Sequence, residues 1–216
     1  MPTLKPKLLV VELWGLRDLN MATPFLYAAG QRYQVTLLAK PYAVDLQRPF
    51  WLDVTLVPFI APWTTFKYKH RLLAWPWGEV FRLCKGRTAQ RFDFGLSACW
   101  DPRDHLLLWL AKAKTRLGSP RVGSGIMPAR RLARPEPPAH RYEIWCVIAW
   151  ELGFEVPVRD ALRLPQLRPD GEVLVHTDTG QPVRVWPLER YRGLVGRLRQ
   201  ENHRVQFACD PEQQSW

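Results

Sequence analysis

Short apolar runs alternate along the first half of the chain with stretches in which apolar residues recur every three or four positions. The apolar runs have the composition of β-strands and cover residues 7–13, 34–39, 53–59 and 92–98. Helical periodicity marks the segments 21–33, 78–90 and 103–114. Strands that alternate with helices predict a doubly wound α/β domain with a largely parallel sheet.

Pro24 interrupts the first of these helical segments. A proline inside a helix removes one hydrogen bond and clashes with the preceding turn. Either Thr23 is the N-cap of a helix whose first residue is Pro24, or the helix begins near Asp18 and kinks. We predict the kinked helix.

The pattern changes in the second half of the chain. Residues 121–140 have no periodicity and are rich in Gly, Pro and Arg, which predicts a surface loop, and a helix follows over 141–153. The Pro-rich segment 156–171 then predicts an interdomain linker.

A second, shorter α/β pattern follows the linker, with a strand over 172–177, a helix over 187–203 and a strand over 204–209. One β-α-β unit cannot bury both of its faces. We therefore predict an N-terminal domain over 1–155 and an incomplete C-terminal domain over 172–216.

Composition and charge narrow the class of protein. The chain has 216 residues, 47% of them hydrophobic, which suffices for a buried core in one large domain or two small ones and excludes a disordered chain. The formal net charge of +11 favours a polyanionic partner: nucleic acid, a phospholipid surface or a phosphorylated substrate. Charge alone does not choose among the three.

The four cysteines and five histidines have neither the spacing of a zinc site nor that of a disulfide framework, so we expect no metal and a reducing, cytoplasmic environment. Lys5 and Lys7 precede an apolar run as in a signal peptide, but Glu12 interrupts that run, which predicts a buried first strand instead. No segment approaches the roughly 18 to 20 uninterrupted apolar residues that span a bilayer, so any membrane contact is expected to be peripheral.

The turn GLRD, residues 15–18, follows the first strand at the sheet edge where doubly wound proteins bind ligands. It lacks the second and third glycines of a dinucleotide-binding motif. The Asp18 carboxylate suits a general base that deprotonates a substrate hydroxyl, and the positive end of the following helix favours its ionised form. The alternative is that Asp18 only caps this helix.

The segment HTDTGQPVRVWP, residues 176–187, joins a predicted strand to a predicted helix N-terminus. Hydroxyls, backbone amides and a guanidinium in such a loop bind nucleotide phosphates. The candidate residues are Thr177, Thr179, Gly180 and Arg184. An ordinary loop with one solvated arginine has the same composition.

Basic and aromatic residues interleave over 62–82, a segment that includes Lys67 and Lys69. Such a segment stacks on sugars or bases while pairing with phosphates, or lies at a membrane interface; the alternative is a packed loop. Further along, Asp101 is predicted to cap a helix, and Arg103 either faces a ligand or is solvated.

In this order, these segments resemble the ADP-heptose:lipopolysaccharide heptosyltransferases, glycosyltransferase family 9. The resemblance rests on the GLRD turn with the following ATPFL, on LLAKPYAVDL, on DPRDHLLLWLAKAKTRLG and on VHTDTGQPVRVWPLERYRGLVGRL. The last of these is similar to the family's H-P-G-A-G-x-x-x-K-x-W-P segment, whereas the later D-x-G-x-x-H segment of the family is absent from this sequence.

The resemblance implies a GT-B fold, in which a Rossmann-like N-terminal domain holds the acceptor and a second Rossmann-like domain binds the nucleotide sugar. Of that second domain this sequence contains the first β-α-β portion. The implied reaction is inverting transfer of heptose, or a related sugar, from an ADP-sugar to a lipopolysaccharide core or similar anionic glycolipid. It takes place on the cytoplasmic side of the inner membrane, with no metal and no cofactor.

The resemblance also implies residue roles. Asp18 matches the family's catalytic base. Thr179, Gly180 and Arg184 match the family's phosphate-binding loop, the last in place of the usual lysine, and Thr177 of the same loop completes the candidate donor-binding set. The candidate residues for acceptor binding are Lys67, Lys69 and Arg103.

Two other hypotheses compete with an active transferase. The chain is alternatively a C-terminally truncated relative without catalysis. The second alternative is a basic nucleic-acid-binding protein, for which charge and aromatic residues are the arguments. We predict the transferase family, with no nucleic-acid partner.

Overall fold

The computed structural model describes residues 4–51, 53–64, 77–78, 81, 91–119, 130–132, 140–157, 171–177 and 185–209. The chain divides into two compact units, residues 1–162 and 163–216. The division falls within the segment 156–171, which the sequence predicts to be a linker.

The first unit contains a six-stranded, fully parallel sheet in the order β3-β2-β1-β4-β5-β6. Its strands are β1 (Lys7–Glu12), β2 (Gln34–Ala39), β3 (Val54–Pro58), β4 (Phe94–Ser97), β5 (Thr115–Gly118) and β6 (Arg130–Arg131). The chain leaves β1 toward β2 and returns to pair β4 on its other side, so the strand order reverses between β1 and β4. Ligands of doubly wound proteins bind at the carboxyl ends of the strands beside such a reversal. The predicted α/β class with a parallel sheet is confirmed.

Helices connect these strands. They are α1 (Leu16–Met21), α2 (Thr23–Arg32), α3 (Ala43–Phe50), α4 (Pro102–Leu110) and α5 (Arg141–Glu151), with a short 3₁₀ helix over Pro62–Thr64. The predicted kinked helix is two helices that separate at Ala22, and Thr23 is the first residue of α2 rather than its cap. Pro24 lies in the first turn of α2, where a backbone N–H has no intrahelical partner, so the proline removes no helical hydrogen bond.

The central strand β1 is buried on both faces, and its side chains alternate between two apolar layers. Leu8 and Val10 pack into one apolar layer, which contains buried residues of α1, α2 and α5. Leu9 and Val11 pack into the opposite layer, against buried residues of α4. Side chains two residues apart on a strand share a face, so Glu12, the next residue after Val10 with that parity, belongs to the α1 and α5 side.

Three sequence predictions for the first unit need correction. The predicted loop 121–140 contains β6, which pairs with β5. The predicted helix 103–114 ends at Leu110, and the positive φ of 52° at Lys112 turns the chain into β5. The sequence pattern predicts no strand at β5, although the last residues of this strand are buried. Most of the predicted helix 78–90 lies outside the described residues.

The second unit contains two parallel strands, β7 (Glu172–His176) and β8 (Arg204–Ala208), connected by α6 (Leu188–Gln200). The predicted β-α-β portion is therefore confirmed. Val175 and Val195 are buried, whereas Leu174 on β7 and Phe207 on β8 are 63% and 48% exposed. Much of the apolar surface of this small sheet thus faces solvent.

Candidate active site

Charged side chains gather at the carboxyl end of β1, beside the reversal in strand order. Glu12 is the last residue of β1, and its side chain is fully buried. Charged groups are rarely buried without a partner, because losing hydration costs free energy that only pairing or hydrogen bonding offsets. We therefore identify the candidate site from the charged groups that surround Glu12.

Asp18 lies in the first turn of α1, but it does not cap this helix. The N-cap is Gly15, and no side-chain hydrogen bond caps α1. The Asp18 carboxylate instead lies with Oδ1 at 3.1 Å from Nε of Arg141. A Cβ atom added to Gly15 would lie 3.2 Å from Oδ2 of Asp18, so the glycine leaves room beside the second carboxylate oxygen. The capping alternative is wrong.

Arg141 is the first residue of α5 and bridges the two carboxylates. Its Nη2 lies 3.5 Å from Oε2 of Glu12, and its Nε, on the same edge of the guanidinium, makes the contact with Asp18. We call this cluster the Glu12–Arg141–Asp18 triad. The contacts of Arg141 with the two carboxylates are ion pairs, since Arg141 Nε, Arg141 Nη2 and Glu12 Oε2 have no aligned hydrogen bond among the described residues. The other oxygen of Glu12, Oε1, accepts a hydrogen bond from the Trp14 amide at 3.4 Å.

The backbone of α5 fixes where Arg141 starts. His140 is the N-cap of α5, and its Nδ1 accepts a hydrogen bond from the Tyr142 amide at 3.2 Å. Trp145, one turn further on, is fully buried and packs against Phe25 of α2 with ring centroids 4.9 Å apart. Arg141 thus projects from a helix end that is held by both a cap and the core.

Burial sets the electrostatics of the triad. It raises the pKa of Glu12 to about 7; the charge of Arg141 opposes the shift, and the carboxylates of Asp18 and Asp104 add to it. Burial opposes the charge of Arg141, but the same two partners, Glu12 and Asp18, hold its pKa above the ordinary value. Arg141 is therefore a permanent cation that contacts both a fully buried carboxylate, whose pKa lies near neutrality, and a partly exposed one.

Lys40 and Tyr42 follow β2 at the same edge. Lys40 donates to the backbone carbonyl of Thr64 at 3.4 Å; burial lowers its pKa, although the carboxylates of Glu12 and Asp18 oppose the shift. The Tyr42 hydroxyl donates to the carbonyl of Trp14 at 3.4 Å. Burial, and then the charges of the same two acids, raise the pKa of Tyr42 to about 12, so it stays protonated.

A second buried carboxylate, Asp104 of α4, lies at the carboxyl end of β4. It accepts hydrogen bonds from the indole nitrogens of Trp14 at 3.0 Å and Trp63 at 3.1 Å, and from the Ser97 hydroxyl at 3.4 Å. Burial nevertheless raises its pKa to about 6. These bonds connect α4 to the segment that follows β1, to the end of β4 and to the 3₁₀ helix.

Arg103 is neither free nor simply solvated. Asp101 caps α4 as predicted, accepting from the Arg103 amide at 2.9 Å. The Arg103 guanidinium returns to the same carboxylate at 2.6 Å and lies 5.7 Å from the Trp63 ring centroid. Burial works against ionisation of Asp101, but the bonds from Arg103 outweigh it and hold the pKa below its ordinary value.

The other predicted residues are placed as follows. Thr177 of the second unit is buried directly after β7, where its amide donates to the Ala208 carbonyl at 3.1 Å. Outside the described residues lie Lys67, Lys69, Thr179, Gly180 and Arg184. The described residues contain no group of three or more acidic, histidine or cysteine side chains able to hold a metal ion. No helix among them is both long enough and apolar enough to cross a bilayer.

Sequence reasoning missed Glu12, Arg141 and Asp104 as site residues. In the sequence, Glu12 stands out only as an interruption of an apolar run. The sequence signal for Glu12 is the alternation of β1: every second side chain shares a face, so a charge two positions after Val10 falls on the same buried face as Leu8 and Val10. Arg141 carries no comparable signal, because it lies 129 positions after Glu12 in the sequence and only the fold brings them together.

The fold is that of the GT-B glycosyltransferases of the heptosyltransferase type, as comparison with solved structures shows. E. coli heptosyltransferase WaaC with ADP-2-deoxy-2-fluoro heptose matches 97% of this chain, over 71% of its own, at a TM-score of 0.72 and 17% identity. The glycosyl transferase family 9 structure from Veillonella parvula matches all of this chain, over 66% of its own length, at a TM-score of 0.71 and 14% identity.

E. coli ADP-heptose lps heptosyltransferase II matches 93% of this chain at a TM-score of 0.62 and 16% identity. The chain spans 63% of that structure and about two thirds of the other two. No protein-family model matches the chain, and no curated protein sequence matches it. At these identities the likeness establishes the shared fold.

Proposed function

We propose that the chain is a glycosyltransferase of the heptosyltransferase type, glycosyltransferase family 9. It transfers heptose or a related sugar from an ADP-sugar to a lipopolysaccharide core or a similar anionic glycolipid. The observation that carries the proposal is Asp18: a carboxylate that caps nothing, at the strand end beside the reversal of a GT-B sheet. Two structural neighbours, both WaaC, hold ADP-2-deoxy-2-fluoro heptose and ADP, which supports a nucleotide-sugar donor.

In the proposed reaction Asp18 acts as general base. It takes the proton of an acceptor hydroxyl while that oxygen attacks the anomeric carbon of the donor sugar. The bond from the anomeric carbon to the diphosphate breaks, and ADP leaves with the bonding electron pair. Attack opposite to the leaving group inverts the configuration. No metal or other cofactor takes part in this proposal.

The net charge of +11 supports the acceptor class and a peripheral place at the cytoplasmic face of the inner membrane. Anionic headgroups and phosphorylated glycolipid both attract a basic protein. Lys67, Lys69 and Arg103 are the proposed acceptor contacts, and Thr177, Thr179, Gly180 and Arg184 the proposed donor contacts. The pairing of Arg103 with Asp101 means that an acceptor phosphate has to compete with that carboxylate.

The test is turnover of ADP-heptose with a lipopolysaccharide-core acceptor by wild type, Asp18→Asn and Asp45→Asn. Asp45 is a matched control, because it is an exposed aspartate in the first turn of another helix, α3. We expect Asp18→Asn to lower turnover by roughly 100-fold or more, since a positioned general base contributes ~10²–10⁴. Asp45→Asn should match wild type.

Two results would refute parts of this proposal separately. A wild-type chain that releases no ADP in the presence of acceptor would contradict the transferase activity. Transfer that survives Asp18→Asn would keep the activity but remove Asp18 from its mechanism.

A further inference from the structure

The triad contains two arrangements that cost folding free energy. The side chain of Glu12 is a carboxylate with no solvent exposure, directly after four buried apolar residues of its strand. Arg141 places a cation in the first turn of a helix, where the helix dipole disfavours positive charge. Perturbed, opposed charges of this kind concentrate at functional sites.

The three groups form a line of contacts that runs from Glu12 through Arg141 to Asp18. Glu12 is fully buried, and the side chains of Arg141 and Asp18 are 30% and 15% exposed, so Arg141 joins a fully buried carboxylate to a partly exposed one. Arg141 meets one carboxylate oxygen of Asp18, Oδ1, at 3.1 Å. The other oxygen, Oδ2, lies beside Gly15, where the missing Cβ leaves space.

We propose that Arg141 is a positioning residue that holds the Asp18 carboxylate by one oxygen and leaves the other for the substrate hydroxyl, and that Glu12 fixes Arg141 through the neighbouring Nη2. This inference rests on the proposed function, because positioning matters only if Asp18 is the base. Arg141 touches neither substrate nor reacting atoms and acts through Asp18.

The support beneath Arg141 suits this role. The His140 cap and the buried Trp145 fix the start of α5, so the guanidinium has a stationary origin. Glu12 ends a strand paired on both sides, by β2 and by β4. Arg141, supported by α5 and by β1, therefore holds the Asp18 carboxylate in place before substrate arrives. Asp18 then loses little rotamer freedom on substrate binding, and preorganised sites gain rate in this way.

The first test is a double-mutant cycle on turnover. Arg141→Gln should lower kcat about tenfold or more with the KM for ADP-heptose unchanged, and Arg141→Lys should recover part of the loss. In an Asp18→Asn background, Arg141→Gln should cause no further loss, because the residue through which it acts is already disabled. Equal loss in both backgrounds would overturn the proposal.

Glu12→Gln tests the second contact of the triad, between Glu12 and Arg141. It should lower kcat less than Arg141→Gln does, because Arg141 keeps its contact with Asp18. The matched control is Arg130→Gln, which breaks an exposed arginine–glutamate pair with Glu151 at 3.3 Å elsewhere in the same unit. We expect this control to keep wild-type kcat.

The second test does not require activity. Three-bond scalar couplings to the side-chain carboxyl carbon of Asp18 report its χ1 rotamer in solution. We expect one rotamer in wild type and Arg130→Gln, and averaged couplings in Arg141→Gln. The same single rotamer in Arg141→Gln would overturn the positioning role. If wild type transfers no sugar while Asp18 behaves as expected, the proposed function fails and the contact stands.

Discussion

The ionisation of Glu12 couples the stability of the fold to pH. Its pKa is 4.5 in ordinary surroundings and about 7 in the folded protein. Between these values the folded state binds more protons than the unfolded state, so stability falls as pH rises. By linkage, the fully ionised group costs on the order of 3 kcal/mol.

Replacing Glu12 by Gln should therefore flatten the pH profile of stability. We expect wild type to lose about 3 kcal/mol more than Glu12→Gln between pH 4.5 and pH 8, measured by urea unfolding. Glu155→Gln, at an exposed glutamate of the same unit, should follow wild type. Parallel profiles for wild type and Glu12→Gln would show that Glu12 is not buried as described.

Single residues also show the limit of sequence reasoning about the site. Asp18 was identified because its position after the first strand has a known meaning in doubly wound folds. The choice between cap and base could not be made, because capping depends on a hydrogen bond that spacing does not reveal. Arg141 could not be identified at all, since its contact with Asp18 joins two helices far apart in sequence.

At the scale of elements, the contact of α4 with β5 depends on one glycine. A Cβ atom added to Gly118 would lie 2.1 Å from Cε1 of His105, whose ring is buried against the strand. Real Cβ atoms do not approach other atoms this closely, so the ring or the helix must move. Overpacking of this kind typically costs about 1–3 kcal/mol, and occasionally more.

Gly118→Ala should accordingly lower the free energy of unfolding by at least about 1–3 kcal/mol in chemical denaturation. In a His105→Ala background the same substitution should cost far less, because the clashing ring is gone. Gly193→Ala is the control of opposite sign. Nothing lies within 4 Å of its added Cβ on α6, and alanine favours a helix over glycine. An equal cost of Gly118→Ala in both backgrounds would contradict the packing.

The elements that sequence patterns predict are those with strong periodicity. The strands β1 and β2 were located almost to the residue, because each has five buried side chains in six. The strand β6 has two exposed arginines and forms only because β5 offers it an edge. The helix α4 ends before the predicted residue 114 because Lys112 adopts a positive φ, and the pattern of apolar residues does not predict this backbone conformation.

At the scale of the whole molecule, the two units differ in how well their sheets are covered. β1 is paired on both sides and buried on both faces, whereas β7 and β8 form a two-stranded sheet with Leu174 and Phe207 exposed. Isolated two-stranded sheets are marginally stable in water. We therefore expect the second unit to open locally far more often than the first.

Amide hydrogen exchange on the full chain checks this expectation. The amides of β1 should exchange at least about 100-fold more slowly than those of β7 and β8, after correction for intrinsic rates. Adding ADP to saturation should slow exchange in β7 and β8 if the second unit binds the donor. Equal protection of β1 and β7 would contradict the inference that the small sheet is the less stable one.

The two indoles that donate to Asp104 make the tryptophan spectra of the molecule sensitive to pH. Trp14 and Trp63 both point an N–H at a carboxylate whose pKa burial raises to about 6. As pH falls through that value the negative charge beside both rings disappears, which shifts the energies of their electronic transitions. Near-ultraviolet circular dichroism and tryptophan emission should then change with a midpoint near pH 6, and Asp104→Asn should remove this step. The protonation of a single buried carboxyl group between β4 and α4 thus becomes visible without any added label.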